Sequence, residues 1–325
     1  MKKLILSLAI CLYVAIQVRA SKETFMFSVK GNDTLFLDKY DTNLSMSNKP
    51  CIVFVFGGGF AAGNRASESY LPFFDKLTRE GYVVISVDYR LGLKNVMSKI
   101  DTKKSQLKIL DQFASLFENA VIIAVEDLFD ATSFILKNAS EWGINKQNIV
   151  ACGSSAGAIA VLQGEYELCN NSMLTNNLPD DFRYAGIISF AGAIYSKHGG
   201  LTWQSAPAPI HMFHDDADRN VPYDKLKFRK LGLYGSKHIA AQLNQAKTPH
   251  YFYSVRNTAH EVANTPMSQN WNEIKTFLDK FVVQKQNLII NTDVNLVDKP
   301  ELSKKMSIKP RFRNRKKVLF LVFNF

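Results

Sequence analysis

The chain has 325 residues, 46% of them apolar and 21% charged, which suits a globular body with a sizeable core, built as one large domain or two small ones. Its formal charge of +11 resembles a nucleic-acid signature, but the excess sits at the two ends. Residues 1–20 carry +3 and residues 302–325 carry +8, so the body over 21–301 is neutral and a global basic patch for nucleic acid is excluded.

The N-terminus reads as an export signal over residues 1–20. Lys2 and Lys3 form a charged n-region, Leu4 to Ile16 an apolar h-region, and Val18-Arg19-Ala20 a cleavage site. The expected location is therefore periplasmic or extracellular. The apolar run is short for a membrane span. Cys11 raises a lipoprotein alternative, but it lies inside the apolar run behind Ile10, where a lipobox needs a small residue. After cleavage Cys51, Cys152 and Cys169 would remain. Three cysteines without C-x-x-C spacing favour free thiols in the core over a zinc site or a disulfide framework.

In chain order, 24–29 and 34–40 are β-prone runs joined by Lys30-Gly31-Asn32-Asp33, which predicts a hairpin. Cys51 to Phe56 is a continuous apolar run, as expected of a strand buried on both faces, and Gly57-Gly58-Gly59 follows at once. Residues 69–80 fit a helix ending before Gly81, and Tyr82 to Val87 a second buried strand leading into Asp88-Tyr89-Arg90. Residues 91–119 are charged and mixed, longer than a usual connection, and suit a cap or lid. Ala120 to Asn138 has helical period. Strands are expected over 149–151, 184–189, 210–214 and, last, 251–255, with an amphipathic helix over 267–283. Alternating strands and helices predict an α/β fold: a mostly parallel central sheet, an antiparallel hairpin at its start, and helices on both faces. The catalytic body is expected over 21–286. Residues 287–325 fit a basic, poorly ordered tail better than a sheet-edge strand or a surface-binding peptide. Membrane contact by that tail has no support in the sequence, and the oligomeric state is left open.

The chemistry centres on Ile149 to Gly157. An apolar strand ends in Gly153-Ser154-Ser155-Ala156-Gly157 and a small-residue helix follows, which is G-x-S-x-G in its strand–turn–helix context. Ser155 is the middle residue and so the candidate nucleophile; Ser154 is one place early. The bland alternative is a tight turn with a serine N-cap. A serine hydroxyl needs a base, a group to orient that base, and donors for the oxyanion. In this class of sheet they follow in the order serine, acid, histidine. The strand ending at His214 empties into Asp215-Asp216-Ala217-Asp218, and the next empties into Arg256 to Glu261 with His260. Asp218 is preferred because D-x-x-V-P turns the chain away after the acid, leaving Asp215 and Asp216 as turn-forming, solvated residues. His260 is preferred over His214, whose bland role is a packed or loop-anchoring histidine. The oxyanion donors should be the N–H of Ala156 and N–H groups of the 57–59 glycine loop. Those glycines lack G-x-G-x-x-G spacing, so a nucleotide site is not indicated.

With these residues in place the chain resembles the α/β-hydrolase family and, within it, secreted bacterial carboxylesterases with an H-G-G-G oxyanion loop. The resemblance covers roughly residues 24–283. It is carried by Phe56 to Phe60, Gly81-Tyr82 through Asp88-Tyr89-Arg90, Ala124 to Asp127, Gly153 to Gly157, His214 to Tyr223, and Ala259-His260. One departure is Phe56, which stands where the family has the histidine that braces the glycine loop. The resemblance implies a serine carboxylesterase of the EC 3.1.1 kind without metal or cofactor. It implies oxyanion donors at Gly58, Gly59 and Ala156, and a small ester or acyl-sugar substrate. A peptidase on the same fold usually adds a large domain for which there is no room here. A non-catalytic hydrolase-fold binding protein would be favoured by a missing triad member, and all three are present.

Overall fold

The computed structural model describes residues 20–42, 47–101, 103–228, 231–304, 311–312 and 319–320. Residues 1–19 of the export signal, Cys11 among them, and residues 305–310, 313–318 and 321–325 of the basic tail lie outside the described residues.

Nine strands form the main sheet. They are β1 (Ser21–Lys30), β2 (Asp33–Asp41), β3 (Lys49–Val55), β4 (Val83–Val87), β5 (Ile144–Ser154), β6 (Gly186–Phe190), β8 (Ile210–Asp215), β11 (His250–Arg256) and β12 (Ile289–Asn295). Their spatial order is β1-β2-β4-β3-β5-β6-β8-β11-β12. The hairpin β1–β2 and the pair β2–β4 are antiparallel, and every later pairing is parallel. This is the expected architecture. The central strands β3, β4 and β6 are buried almost throughout, as continuous apolar runs require when helices cover both faces. Cys51, Cys152 and Cys169 are buried and free.

Four details depart from the sequence reading. First, the edge strand β12 pairs in register with β11 from His250↔Ile289 to Arg256↔Asn295, so the body extends past residue 286 and β11 is not the last strand. Its I-I-N-T-D-V-N sequence alternates half-buried and exposed positions, and an edge strand of that kind lacks an apolar signature. Second, α3 (Gln106–Asn138) starts well inside the segment read as a cap. Ile109, Leu110, Phe117, Ala120, Val121 and Ala124 keep one helical stripe buried, and of the charges that suggested a lid only Lys108, Asp111 and Glu118 belong to this helix, the others lying before it. Between β4 and α3 there remain only a loop and the single turn α2 (Val96–Lys99). Third, β7 (Ala193–Ser196), β9 (Lys225–Phe228) and β10 (Leu231–Gly235) form a small antiparallel sheet in the order β7-β10-β9. Strands this short give no periodicity to read. Fourth, the closing helix is broken into α6 (Pro266–Gln269), α7 (Trp271–Phe277) and a π-helical turn at Leu278–Val283, because Asn270 leaves helical geometry at φ −113°, ψ 40°.

Beside the sheet, α1 (Leu71–Arg79) and α4 (Ala156–Cys169) pack against β3, and α5 (Ser236–Gln245) packs on β8 and β11. Buried within α4 is Glu165. One carboxyl oxygen accepts from the Ala208 N–H at 2.7 Å and the Cys169 thiol at 3.5 Å, and Oε2 has no partner. Burial raises its pKa, against the lowering effect of the Ala208 hydrogen bond. A carboxyl raised above its unfolded value stabilises the fold while it holds its proton. Stability is thus lost as pH rises from about 4.3, the unfolded value, toward the raised folded one. Glu165→Gln has no proton to lose. Urea midpoints from acid to neutral pH should show the variant gaining on the wild type as pH rises.

Candidate active site

The turn between β5 and α4 places Ser155 at φ 51°, ψ −114°, a conformation that L-residues rarely adopt. It is held from both sides. The Ser155 N–H donates to the Phe190 carbonyl at 2.8 Å, and the Ser155 carbonyl accepts from the Ile159 N–H at 2.9 Å. The flanking glycines are required by space. A Cβ on Gly153 would lie 2.3 Å from the Gly157 oxygen, and one on Gly157 would lie 2.1 Å from the Val55 oxygen. Both obstacles are backbone, so α4 could not stay seated on β3. Gly157→Ala should therefore cost at least about 3 kcal/mol or prevent folding, read from urea denaturation and soluble yield.

Ser155, Asp218 and His260 come together at the carboxyl ends of β5, β8 and β11. The Ser155 hydroxyl lies 2.9 Å from His260 Nε2, and His260 Nδ1 lies 2.6 Å from Asp218 Oδ2. An ionised carboxylate only accepts, so Nδ1 carries a proton and Nε2 is left to accept from the serine hydroxyl. The other oxygen of Asp218 accepts from the Asn220 and Val221 N–H groups at 2.7 and 3.0 Å. Burial alone would raise the Asp218 pKa. Hydrogen bonds and charge from His214 and His260 outweigh it and hold the carboxyl below its ordinary value.

Ser154, the neighbour set aside in the sequence, turns away from this site. Its hydroxyl donates to the Ala263 carbonyl at 2.8 Å and ties the nucleophile turn to the chain just past His260. The structure corrects the solvated reading of Asp215 and Asp216: both are buried, Asp215 within β8 and Asp216 in the turn that follows it. Asp215 is fully buried, accepting from the Thr258 hydroxyl through Oδ1 and from the Val262 N–H through Oδ2 at 2.9 Å. It thereby clamps the loop on both sides of His260. Asp216 accepts from the Asn257 N–H at 2.9 Å and pairs with Lys304 at 2.6 Å, so the start of the basic tail also reaches the histidine loop. Only contacts across strands β8 and β11 give these acids their roles, and no sequence spacing could have shown them.

The glycine loop adjoins the same cavity. Gly58 and Gly59 take positive φ of 130° and 62°. A Cβ on Gly58 would meet the Ala62 oxygen at 2.0 Å, where the loop closes through hydrogen bonds from the Ala61 and Ala62 N–H groups to the Gly58 carbonyl. The Gly57 N–H donates to the Tyr70 hydroxyl at 3.2 Å and is therefore engaged. Phe56, in the place of the family histidine, is buried and stacks on Tyr89 with ring centroids 4.5 Å apart. The Tyr89 hydroxyl donates to the Phe56 carbonyl at 3.1 Å. An aromatic stack and two tyrosine hydroxyls thus brace this loop without the imidazole.

The cavity measures about 260 Å³ and is lined by Gly58, Gly59, Ser155, Ala156 and His260 on its polar side, with Phe60, Leu93, Phe117 and Ile159 as its apolar wall. Sequence reasoning missed that wall. Its residues come from four separate segments and carry no motif. Among the described residues no group of three or more His, Cys, Asp or Glu is arranged to hold a metal ion.

A sharp serine-bearing turn between a parallel strand and a helix, with an aspartate and a histidine on later strand ends, is the arrangement of the α/β-hydrolase fold, and this chain has that fold. The chain is also carboxylesterase-like: residues 11–164 match the model of the carboxylesterase family. That stretch includes the glycine loop and Ser155 but ends before Asp218 and His260. Among curated proteins, gut esterase 1 of Caenorhabditis briggsae is 27% identical over 137 residues, 42% of this chain and 22% of that one. Fumonisin B1 esterase of Sphingopyxis macrogoltabida is 26% identical over 133 residues, 40% of this chain and 22% of the relative. The matched stretch thus spans about a fifth of the length of these relatives. Among solved structures, the apo form of Thermogutta terrifontis esterase 2 superimposes with a TM-score of 0.55 at 20% identity, covering 82% of this chain and 96% of that one.

Proposed function

We propose that this protein is a serine esterase working through an acyl-enzyme. The observation that carries the reading is the pair of hydrogen bonds by which His260 joins Ser155 to Asp218. Ser155 Oγ attacks the ester carbonyl carbon while its proton passes to His260 Nε2. The N–H groups of Gly58, Gly59 and Ala156 receive the oxyanion. The bond to the alcohol oxygen then breaks, His260 returns the proton to that oxygen, and the acyl group stays on Ser155. A water, deprotonated by His260, attacks the acyl carbon; the Ser155 oxygen leaves and recovers the proton, and a carboxylic acid departs. Asp218 holds the imidazole in the required tautomer throughout and stabilises its charged form.

The acyl pocket is small and apolar, below the range of drug-sized sites, which suits short acyl groups. A carbohydrate is one alcohol partner consistent with the family resemblance. We also propose that residues 1–20 direct export, so that the esterase acts outside the cytoplasm.

The reading is tested with p-nitrophenyl esters from acetyl to octanoyl and with a fluorophosphonate that phosphonylates an activated serine, releasing fluoride. The expected result is turnover falling beyond short chains and a single adduct mapped by mass spectrometry to Ser155. Turnover of peptide substrates and not of esters would transfer the site to a peptidase. A folded protein with neither turnover nor adduct would leave a hydrolase-fold binding protein.

A further inference from the structure

Behind the triad acid stands a second histidine that the reaction above does not use. His214 is the penultimate residue of β8 and is fully buried. Its Nε2 lies 3.4 Å from Asp218 Oδ2 and 3.3 Å from the Val221 carbonyl oxygen. Both neighbours are acceptors, so Nε2 carries a proton and presents it between them. On the other side of the ring, Nδ1 lies 2.8 Å from the hydroxyl of Ser236, a buried residue at the start of α5. That hydroxyl has a second, longer acceptor in the Gly192 carbonyl at 3.4 Å.

The oxygen that His214 faces is the same Oδ2 that takes the His260 proton. Three hydrogen-bond donors hold Asp218, two backbone N–H groups on Oδ1 and the His260 imidazole on Oδ2, and the His214 imidazole stands 3.4 Å from that same Oδ2. The backbone donors fix one oxygen. His214 is the second imidazole facing the other, placed to limit rotation of the carboxylate about its Cβ–Cγ bond.

We propose that His214 is a positioning residue of the triad, anchored by Ser236, which holds the Asp218 carboxylate and through it the imidazole of His260 in line with Ser155. The proposal rests on the serine-esterase reading and adds to it a residue outside the three. Without the His214 proton, Oδ2 is less restrained, and His260 is less often in line with the serine hydroxyl; this slows the chemical step and leaves substrate binding unchanged. The other groups around His214 are Asp215 on its own strand, Tyr223 with its ring edge-on at 5.7 Å between centroids, and Ser236 from α5.

The test uses the full chain with His214→Leu, His214→Gln and Ser236→Ala. Three quantities are read: kcat and KM on p-nitrophenyl butyrate across pH, the rate of fluorophosphonate labelling of Ser155, and the low-field proton resonance of His260 Nδ1–H. In His214→Leu we expect kcat and labelling to fall roughly 10- to 100-fold with KM within about twofold. The resonance should shift or broaden. In His214→Gln the side-chain amide returns an N–H toward Asp218, and most of the rate and the original resonance should return. Ser236→Ala should give a smaller change of the same kind, and it carries the test if His214→Leu does not fold. A folded His214→Leu with wild-type kcat, labelling rate and resonance overturns the proposal. So does a loss of rate with an unmoved resonance that His214→Gln does not relieve. If the wild type neither turns over esters nor labels, the esterase reading fails, and the resonance alone still decides whether His214 positions the Asp218–His260 pair.

Discussion

Ser155→Ala should lose ester turnover by on the order of 10⁴- to 10⁶-fold while remaining folded. On the proposed mechanism the variant removes the atom that forms the acyl bond, and it leaves the cavity, the glycine loop and His260 in place. A companion variant separates chemistry from strain. Residue 155 sits at φ 51°, where a Cβ is costly, and neither serine nor alanine relieves that cost. Ser155→Gly should be equally inactive but more stable than Ser155→Ala by about 1 kcal/mol, seen as a higher denaturation midpoint. The natural residue would then be one that lowers stability for the sake of function. Equal stability of the two variants would mean that the turn is not strained. Residual turnover in both, above that of a mock preparation, would place the nucleophile elsewhere.

Asp218→Asn should lower kcat by about 10³- to 10⁴-fold with little change in KM. The amide keeps the shape and can still accept from the Asn220 and Val221 N–H groups. It then turns an NH₂ toward the histidines, where Oδ2 now accepts from His260, and favours the tautomer in which Nε2 bears the proton and cannot accept from Ser155. The same variant has a signature in acid. The Asp218 carboxyl is held below its ordinary value in the fold, so its contribution to stability is complete above the unfolded value of about 3.9 and is lost as pH falls through the lower folded one. Asp218→Asn has no such proton to take up. Its urea midpoint should decline less steeply below about pH 4 than that of the wild type. An unchanged acid decline would show that the His260 and His214 bonds do not depress this carboxyl.

The local signals in the chain were strong where physics is local. Gly153, Ser155 and Gly157 are legible because a sharp strand-to-helix turn admits only small neighbours, and the structure shows backbone oxygens within 2.1 to 2.3 Å of where their Cβ atoms would stand. The parallel sheet is legible because strands buried on both faces must be continuously apolar. The order serine, acid, histidine singled out His260 among six histidines, and D-x-x-V-P singled out Asp218 among three aspartates; they are the pair that the fold brings to Ser155.

What the sequence left open belongs to contacts between distant segments. Whether Asp215 is a turn residue or a clamp depends on Thr258 and Val262, which lie more than forty residues away and reach it because β8 and β11 are neighbours. Whether Phe56 disables the glycine loop depends on Tyr89 and Tyr70, which supply its stack and its hydrogen bond. The role of β12 depends on the free edge of β11, since a half-exposed strand carries no apolar signature of its own. His214 was a rival for the catalytic base by residue type alone. Its place behind Asp218, with Ser236 on its far nitrogen, was set by the packing of α5 against β8. Turn chemistry and strand burial are fixed by residues within a few positions of one another, so sequence alone determined them. The bracing of the site is fixed by atoms that meet only after the sheet has formed, so it was decided in the tertiary structure.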